Sequence, residues 1–274
     1  MNVDKDFFKC WVCDTSGRAI RRLVRRFGSY QQLQTWDELN GKTDISTFDE
    51  IFEFKCTTDP LQRISLPDEF VTLTGKDHPA SAKHVKTYLE KRGITQNDFL
   101  RWKMGYCVRG PYEGRVVVPS FDEEGYVNYF VARSYDDNWR KYMNPSLSKD
   151  IVFNHLYIDW DSDIILTEGV FDAIKAGPNS IPLLGSTLRE NSKLFQEIVK
   201  NDAAVFIALD PDAEKKSLRI IKTLLSYGIE TYKIDVTGYE DVGEMTKEEF
   251  LKRKDTALHI NAESFMVEEA INRL

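Results

Sequence analysis

The chain has 274 residues, of which 42% are hydrophobic and 30% are charged, and its formal net charge is −7. This length and composition suit one or two domains with a buried core, and the acidic balance argues against a general binder of duplex DNA, which would carry a strongly basic surface. The sequence contains no apolar segment long enough to cross a membrane and no signal-peptide pattern at the N-terminus, so a soluble, cytoplasmic protein is expected.

The N-terminal segment contains a CxxC pair, Cys10 and Cys13, in a predicted hairpin knuckle. Five arginines between residues 18 and 26 follow it on a predicted basic helix that ends near Gly28. A CxxC pair can supply two of the four ligands of a structural zinc ion, and no second CxxC or CxxH pattern supplies the other two. The cysteines can equally be free thiols, and the arginines can equally be a solvated helix face.

The middle of the chain predicts helices followed by a hairpin. Residues 29–80 are polar and read as a connecting region with short strands. From residue 80 to 100 the pattern predicts a helix closed by Gly93 and a second short helix that includes Phe99 and Trp102. Residues 115–119 and 126–133 are then predicted to form the two strands of a hairpin.

Three later segments run apolar and then end on carboxylates: 163–172, 203–212 and 231–241. Short apolar runs of this kind are typical of buried parallel strands, and helical patterns follow the first two. The alternation predicts a parallel sheet with right-handed crossovers and helices packed on it. Ligands of such sheets bind beyond the carboxyl ends of the strands, which is where the acids lie.

These acids suit a divalent-cation site. Glu168 and Asp172 can face the same volume if Asp172 lies in the first turn of the helix. Asp210 and Asp212 flank Pro211, and in an extended or turn segment this spacing points both carboxylates the same way. Clustered carboxylates need a cation, and hard oxygen ligands favour Mg²⁺ or Mn²⁺, which would serve phosphoryl transfer. For any single pair, a loop or helix-capping role is as good an interpretation.

Together these pieces resemble the bacterial and phage DNA primases whose catalytic core carries a TOPRIM domain. Residues 167–173 are similar to the first TOPRIM signature, 184–186 to its glycine turn, and Asp210 and Asp212 to its paired aspartates. Asp241 is similar to the last acid. The aspartate pair departs from the family, because Pro211 and a following Ala-Glu-Lys-Lys stand where glycines are usual.

The segments upstream distinguish primases from other TOPRIM proteins. Residues 88–106 resemble the helical opening of the primase core, 114–119 its arginine-bearing strand, 131–133 its second arginine, and 140–145 its Lys-Tyr-Leu-Asn element. The CxxC knuckle resembles the second half of the primase zinc ribbon, and the first half has no counterpart in this sequence. The other half is expected to be missing or to come from another chain.

The resemblance implies an α/β fold: a TOPRIM domain, with a parallel sheet flanked by helices, preceded by a mixed α+β primase subdomain. The expected divisions are a partial zinc ribbon and basic helix at 1–40, a linker at 41–78, the primase subdomain at 79–158, the TOPRIM domain at 159–254 and a C-terminal helix at 255–274.

The activity implied is that of a DNA primase, a nucleotidyltransferase of the DNA-directed RNA polymerase type that makes short RNA primers on single-stranded DNA. The implied Mg²⁺ or Mn²⁺ ligands are Glu168, Asp172, Asp210, Asp212 and Asp241, and the implied zinc half-site is Cys10 and Cys13. The catalytic residues would be Glu168, Asp210, Asp212 and Lys141, and the groups that bind nucleotide or template would be Arg115, Arg133, Lys141 and Asn144. Ribonucleoside triphosphates and a replicative helicase are the other implied partners, in the host cytoplasm if a phage encodes the chain.

Two other functions stay open. The same acids would serve a TOPRIM nuclease, and the missing half-ribbon would suit a non-catalytic nucleic-acid-binding subunit. Arg115 and Arg133 can also be surface charges on an exposed hairpin. Aromatic side chains that could stack on template bases are Trp102, Tyr106, Tyr129, Tyr135 and Trp139.

Overall fold

A computed structural model of the chain describes residues 7–9, 11, 16–18, 20–27, 29–39, 62–75, 79–136, 139–185, 187–261 and 265. The chain divides into two compact units, residues 1–57 and residues 58–274. None of the helices in the described ranges combines the length and the apolar character needed to cross a bilayer.

The described residues of the first unit form a hairpin and two helices. Strands β1 (Phe7–Lys9) and β2 (Ser16–Arg18) pair antiparallel, and helices α1 (Ile20–Phe27) and α2 (Tyr30–Leu39) follow. The Ser29 hydroxyl accepts from the Gln32 amide while the Gln32 side chain accepts from the Ser29 amide, a reciprocal cap that starts α2. The predicted hairpin and basic helix are therefore confirmed, whereas Cys10 and Cys13 lie outside the described residues.

The second unit begins with a four-stranded antiparallel sheet. Its strands are β3 (Phe70–Thr72), β4 (Gly105–Cys107), β5 (Arg115–Phe121) and β6 (Val127–Ser134), in that spatial order. The predicted hairpin is confirmed as β5 and β6, and the Asp122 carboxylate closes its turn by accepting from the amides of Glu124 and Tyr126. The short strand β3 falls in the segment expected to connect domains.

Helices α3 (Ala82–Lys91) and α4 (Gln96–Arg101) lie between β3 and β4 in the chain. Gly93, at a φ of +66°, ends α3 as predicted, because glycine adopts this left-handed conformation without steric cost. Thr95 and Asp98 form a capping box at the start of α4.

A second sheet, with five strands, follows in the described part of the second unit. Its strands are β7 (Ile164–Thr167), β8 (Ser180–Pro182), β9 (Val205–Ala208), β10 (Thr231–Lys233) and β11 (Leu258–Ile260), in the spatial order β11-β10-β9-β7-β8. The prediction that the three apolar runs are neighbouring parallel strands is confirmed, since β7 pairs parallel with β9 and β9 with β10. Every residue of β7 and β9 is buried, which accounts for their unbroken apolar sequences.

Between residues 164 and 261, four helices are described with this sheet: α5 (Val170–Ala176), α6 (Lys193–Lys200), α7 (Glu214–Ser226) and α8 (Lys247–Asp255). The helices predicted after the first two acidic strand ends are confirmed as α5 and α7, and Gly228 ends α7 at a φ of +70°. Strand β11 pairs antiparallel with β10 and lies beyond residue 254, in the part assigned to a C-terminal helix. Of residues 262–274, only Phe265 is described.

Candidate active site

The predicted acids follow the carboxyl ends of three neighbouring strands. Glu168 comes directly after β7, and Asp210 comes two residues after the end of β9. Asp241 follows β10 through a loop and precedes a 3₁₀ turn at Val242–Glu244. Because these strands are parallel neighbours in the sheet, their acids gather at one edge of it.

Asp172 is the best-anchored of these carboxylates. It is 7% exposed and lies in the first turn of α5, as the sequence predicted. Its Oδ2 accepts from the Gly169 amide at 2.9 Å and its Oδ1 from the Gly243 amide at 3.0 Å. A Cβ at Gly243 would lie 3.0 Å from Asp172 Oδ1 and 3.1 Å from Asp241 Oδ1. The glycine therefore allows both carboxylates to approach the same turn.

Negative charge accumulates around Asp210. Burial, followed by the charges of Asp172, Glu168, Asp241 and Asp212, raises the pKa of Asp210 to about 7. Burial and the charge of Asp241 also raise the pKa of Asp172 to about 6, although the two backbone amides and Arg133 act in the opposite direction. Among the described residues, Asp210 Oδ1 and Asp241 Oδ1 are buried with no hydrogen-bond partner. Such a group of carboxylates favours the approach of a cation.

Lys216 is a residue of the site that the sequence analysis missed. Its Nζ lies 2.9 Å from Glu168 Oε1, and the two side chains are 19% and 31% exposed. Lys216 stands in the first turn of α7, in the Ala-Glu-Lys-Lys segment that follows the aspartate pair. The departure from the usual glycines was visible in the sequence, but its contact with a residue 48 positions away was not.

The donor atoms of this edge are suited to a hard divalent cation. They are carboxylate oxygens, and two of them are buried without a partner. Within the described ranges, however, no three His, Cys, Asp or Glu side chains stand close enough together to hold a metal ion. Asp212 is exposed, whereas Asp210 is partly buried. The donor atoms suit Mg²⁺ or Mn²⁺ by their chemistry, since both are hard cations that prefer oxygen ligands.

Arg133 links the antiparallel sheet to the acidic edge. It is 7% exposed, so the interpretation of a surface charge is wrong. Its Nε donates to the Tyr88 hydroxyl at 2.9 Å and its Nη1 to the Tyr142 hydroxyl at 2.6 Å. The guanidinium carbon lies 4.8 Å from the centre of the Phe171 ring, beside Asp172 in α5. Arg133 is thus held by α3, by the segment after β6 and by α5.

Arg115 is also buried, at 4% exposure, and the surface interpretation is wrong for it too. Its guanidinium donates to the backbone oxygens of Lys141, at 3.3 Å, and Arg140, at 2.9 Å. Asn144 Oδ1 accepts from the Ala132 amide at 3.1 Å. The side chain of Lys141 is exposed. Arg115 and Asn144 therefore support the segment that presents Lys141 to solvent.

Three of the aromatic residues suggested as stacking platforms belong to the core instead. Trp102 is 4% exposed, and Tyr106 and Tyr129 are fully buried, so their faces are covered by packing. Tyr135 is partly buried. Trp139 is 93% exposed and can offer a ring face to a base.

The raised pKa values predict how the stability of the metal-free protein depends on pH. Because the pKa of Asp210 is about 7 in the folded state and ordinarily 3.8, the folded protein binds more protons between these values. The free energy of unfolding should therefore fall as the pH rises from about 4 to about 7, and the loss is complete above the folded pKa. Each ~1 kcal/mol lost lowers the Tm by about 2–4 °C in a protein of this size class. Thermal unfolding in EDTA at pH 5 and pH 8 measures this change.

The Asp210→Asn variant is the control for that experiment. The amide cannot ionise, so its Tm should fall less between pH 5 and pH 8 than that of the wild type. An equal fall in both proteins would show that other groups cause the dependence. Mg²⁺ should stabilise the wild type more at pH 8 than at pH 5, because the cation binds the ionised carboxylates.

No family model matches the chain. Among curated proteins, it is similar to a DNA primase of Thermotoga maritima, with 21% identity over 289 residues that cover 88% of this chain and 50% of the relative. The chain thus spans about half the length of that protein.

Solved structures of primases share the fold. The catalytic domain of a DnaG primase bound to single-stranded DNA superposes with a TM-score of 0.60 at 17% identity, covering 72% of this chain and 78% of that one. The zinc-binding and RNA polymerase domains of the Aquifex aeolicus primase give a TM-score of 0.56 at 21% identity, covering 94% and 74%. The RNA polymerase domain of the Mycobacterium tuberculosis primase, solved with an overhanging duplex, gives 0.57 at 14% identity, covering 72% and 79%.

The fold is the mixed α/β fold of the DnaG primase catalytic core, in which an antiparallel sheet precedes the sheet that carries the acidic edge, and the predicted α/β class is confirmed. More particularly, the chain is homologous to the catalytic core of the bacterial DnaG-type primases.

Proposed function

We propose that the chain synthesises short RNA primers on single-stranded DNA. The main observation in support is the gathering of Glu168, Asp172, Asp210 and Asp241 at one sheet edge, next to an arginine anchored in the neighbouring subdomain. In this reaction a 3′-hydroxyl attacks the α-phosphate of a ribonucleoside triphosphate, and pyrophosphate leaves. Template-directed addition requires both the acids and a cationic surface that receives the nucleotide.

The carboxylates and the basic residues would have different roles in this reaction. Glu168, Asp210 and Asp212, flanked by Asp172 and Asp241, would hold Mg²⁺ or Mn²⁺, which when bound would neutralise the charge that develops on the phosphates. The exposed amine of Lys141 would bind the triphosphate. Arg133 would orient Tyr142 beside the acidic edge and offset part of its charge.

Arg115 and Asn144 act less directly in this proposal than the sequence suggested. The Arg115 guanidinium is engaged by two backbone oxygens, and the Asn144 side chain binds the backbone of β6. We therefore give them the role of holding the Lys141 segment in place, so that the lysine faces the nucleotide.

Three further elements of the proposal rest on homology. Cys10 and Cys13 would supply two of the four ligands of a zinc site, since the similar Aquifex aeolicus protein carries a zinc-binding domain. Single-stranded DNA would be the template, as the DnaG domain was solved with it bound. A replicative helicase would be the partner, and the enzyme would work in the cytoplasm, that of the host if a phage encodes it.

Incubation with single-stranded DNA, labelled ribonucleoside triphosphates and Mg²⁺ or Mn²⁺ tests the proposal. We expect short labelled RNA that grows with time and disappears when EDTA is added. Shortening of the DNA without labelled product would instead indicate a TOPRIM nuclease. DNA binding with neither product would indicate a non-catalytic subunit.

A further inference from the structure

The contact between Lys216 and Glu168 suggests that the charge of the lysine affects how this site binds a cation. Lys216 Nζ lies 2.9 Å from Glu168 Oε1, so a fixed positive charge stands at one of the carboxylates expected to bind metal. Both side chains are more than two-thirds covered, which shields the pair from water and strengthens it relative to a surface ion pair.

The start of helix α7 fixes the position of this lysine. Pro211–Ala213 forms a 3₁₀ turn that leads directly into α7, and Glu214 at the first position of the helix bonds to Lys233 Nζ at 2.7 Å. Lys233 is the last residue of β10, so this ion pair ties the helix start to the sheet. Lys216, two residues further along the helix, is thereby directed towards Glu168.

The carboxylates of the edge are satisfied in different ways. Asp172 accepts from two backbone amides, whereas Asp210 and Asp241 each keep a buried oxygen without a partner among the described residues. Glu168 has a cationic partner already in place. A divalent cation that uses Glu168 must therefore either displace Lys216 from Oε1 or bind the other carboxylate oxygen close to the charge of the lysine.

We propose that Lys216 is a resident counter-ion of Glu168 that competes with the divalent metal for this carboxylate and lowers the metal affinity of the site. The inference rests on the proposed function, because it takes Glu168 as a metal ligand. Lys216 is not a ligand itself, and it acts through the carboxylate that it holds.

Binding of Mn²⁺, measured by electron paramagnetic resonance or calorimetry in the absence of nucleotide, tests the inference. Lys216→Met removes the charge and keeps a side chain of similar length. We expect this variant to bind Mn²⁺ roughly ten-fold more tightly than the wild type, since both the competition and the repulsion are lost. Lys216→Arg keeps the charge and should bind Mn²⁺ as weakly as the wild type does.

Lys215→Met is the matched control, because Lys215 precedes Lys216 in the same helix turn and its side chain is exposed. It should leave the affinity for Mn²⁺ unchanged. In a Glu168→Gln background, Lys216→Met should have a clearly smaller effect, because the two residues act as a pair. Unchanged or weaker binding of Mn²⁺ by Lys216→Met, in a variant with a native circular dichroism spectrum, would overturn the inference.

The binding measurement does not depend on primer synthesis, so the two proposals fail separately. Primer synthesis by the wild type, together with equal Mn²⁺ affinity in Lys216→Met, would overturn only the role of Lys216. Tighter Mn²⁺ binding by Lys216→Met without any primer synthesis would support that role and overturn the proposed function. A wild type that binds no Mn²⁺ would overturn the inference whatever the synthesis assay gives.

Discussion

Replacing Asp210 with alanine should abolish primer synthesis and leave the fold intact. Asp210 lies at the centre of the acidic edge, where burial and the charges of four other carboxylates raise its pKa to about 7. One of its oxygens is buried without a partner among the described residues, so the fold itself does not need this carboxylate. Loss of a group that stabilises the reacting phosphates should reduce the rate by about 10²–10³-fold or more. Labelled-primer synthesis at saturating Mg²⁺ measures the loss.

Stability measurements separate a catalytic effect from an unfolded protein. At pH 8 without metal, Asp210→Ala and Asp210→Asn should have a Tm equal to or above that of the wild type, because they remove a repelled charge. Asp255→Asn, at the exposed C-terminal end of α8, changes a carboxylate away from the acidic edge and should synthesise primers normally. Undiminished synthesis by Asp210→Ala would contradict the assignment of the metal site.

Replacing Arg133 with methionine should lower both stability and primer synthesis. The variant loses the hydrogen bonds to Tyr88 and Tyr142 and the contact with the Phe171 ring, and two hydroxyls lose a charged donor. We expect a destabilisation of about 2–4 kcal/mol. Synthesis should fall by about 100-fold or more at a temperature where the variant stays folded, because a cation next to Asp172 is lost. Denaturant unfolding and primer synthesis measure the two effects.

The variants Arg133→Lys and Tyr142→Phe separate the contribution of the charge from that of the hydrogen bonds. Lysine keeps the charge but lacks the planar fork that reaches both hydroxyls, so stability should recover only in part. Tyr142→Phe removes one hydroxyl and should cost about 1 kcal/mol, with Arg133 still held by Tyr88. If Arg133→Met lost stability but kept normal synthesis in the folded protein, Arg133 would be a packing residue without a role in the reaction.

Much of the fold could be predicted because its signals are local. The buried strands β7 and β9 are uninterrupted apolar runs, and Gly93 and Gly228 end helices where a left-handed residue is needed. The position of Asp172 in the first turn of α5 could also be predicted, because that prediction needs only the end of β7 and the spacing of Asp172 from Glu168. The acidic edge followed from these elements, because parallel strands present their carboxyl ends on one side.

The burial of the basic residues was harder to predict, since the residues that cover them are distant in sequence. Arg115 and Arg133 lie in a hairpin whose two strands look half-exposed when the rest of the chain is ignored, and both are buried by segments outside the hairpin. The aromatic residues behaved in the same way, because Tyr106 and Tyr129 belong to a core formed by several elements. The presence of an aromatic residue in the sequence does not indicate which face of its ring is covered in the folded protein.

The sequence by itself determined the hairpin β5–β6, the three buried parallel strands with the helices that follow the first two, the gathering of the acids at one edge and the kind of ligand that carboxylates favour. Those properties depend on residue type and on short spacings. Only the tertiary structure decided which partners the charged side chains of the site have: the Gly243 amide reaches Asp172 across 71 positions, Lys216 reaches Glu168 across 48, and Arg133 reaches Tyr88 across 45. Such contacts form when the sheet brings distant turns together. Because hydrogen bonds and ion pairs are short, the exact packing of those turns decides which partner each side chain contacts.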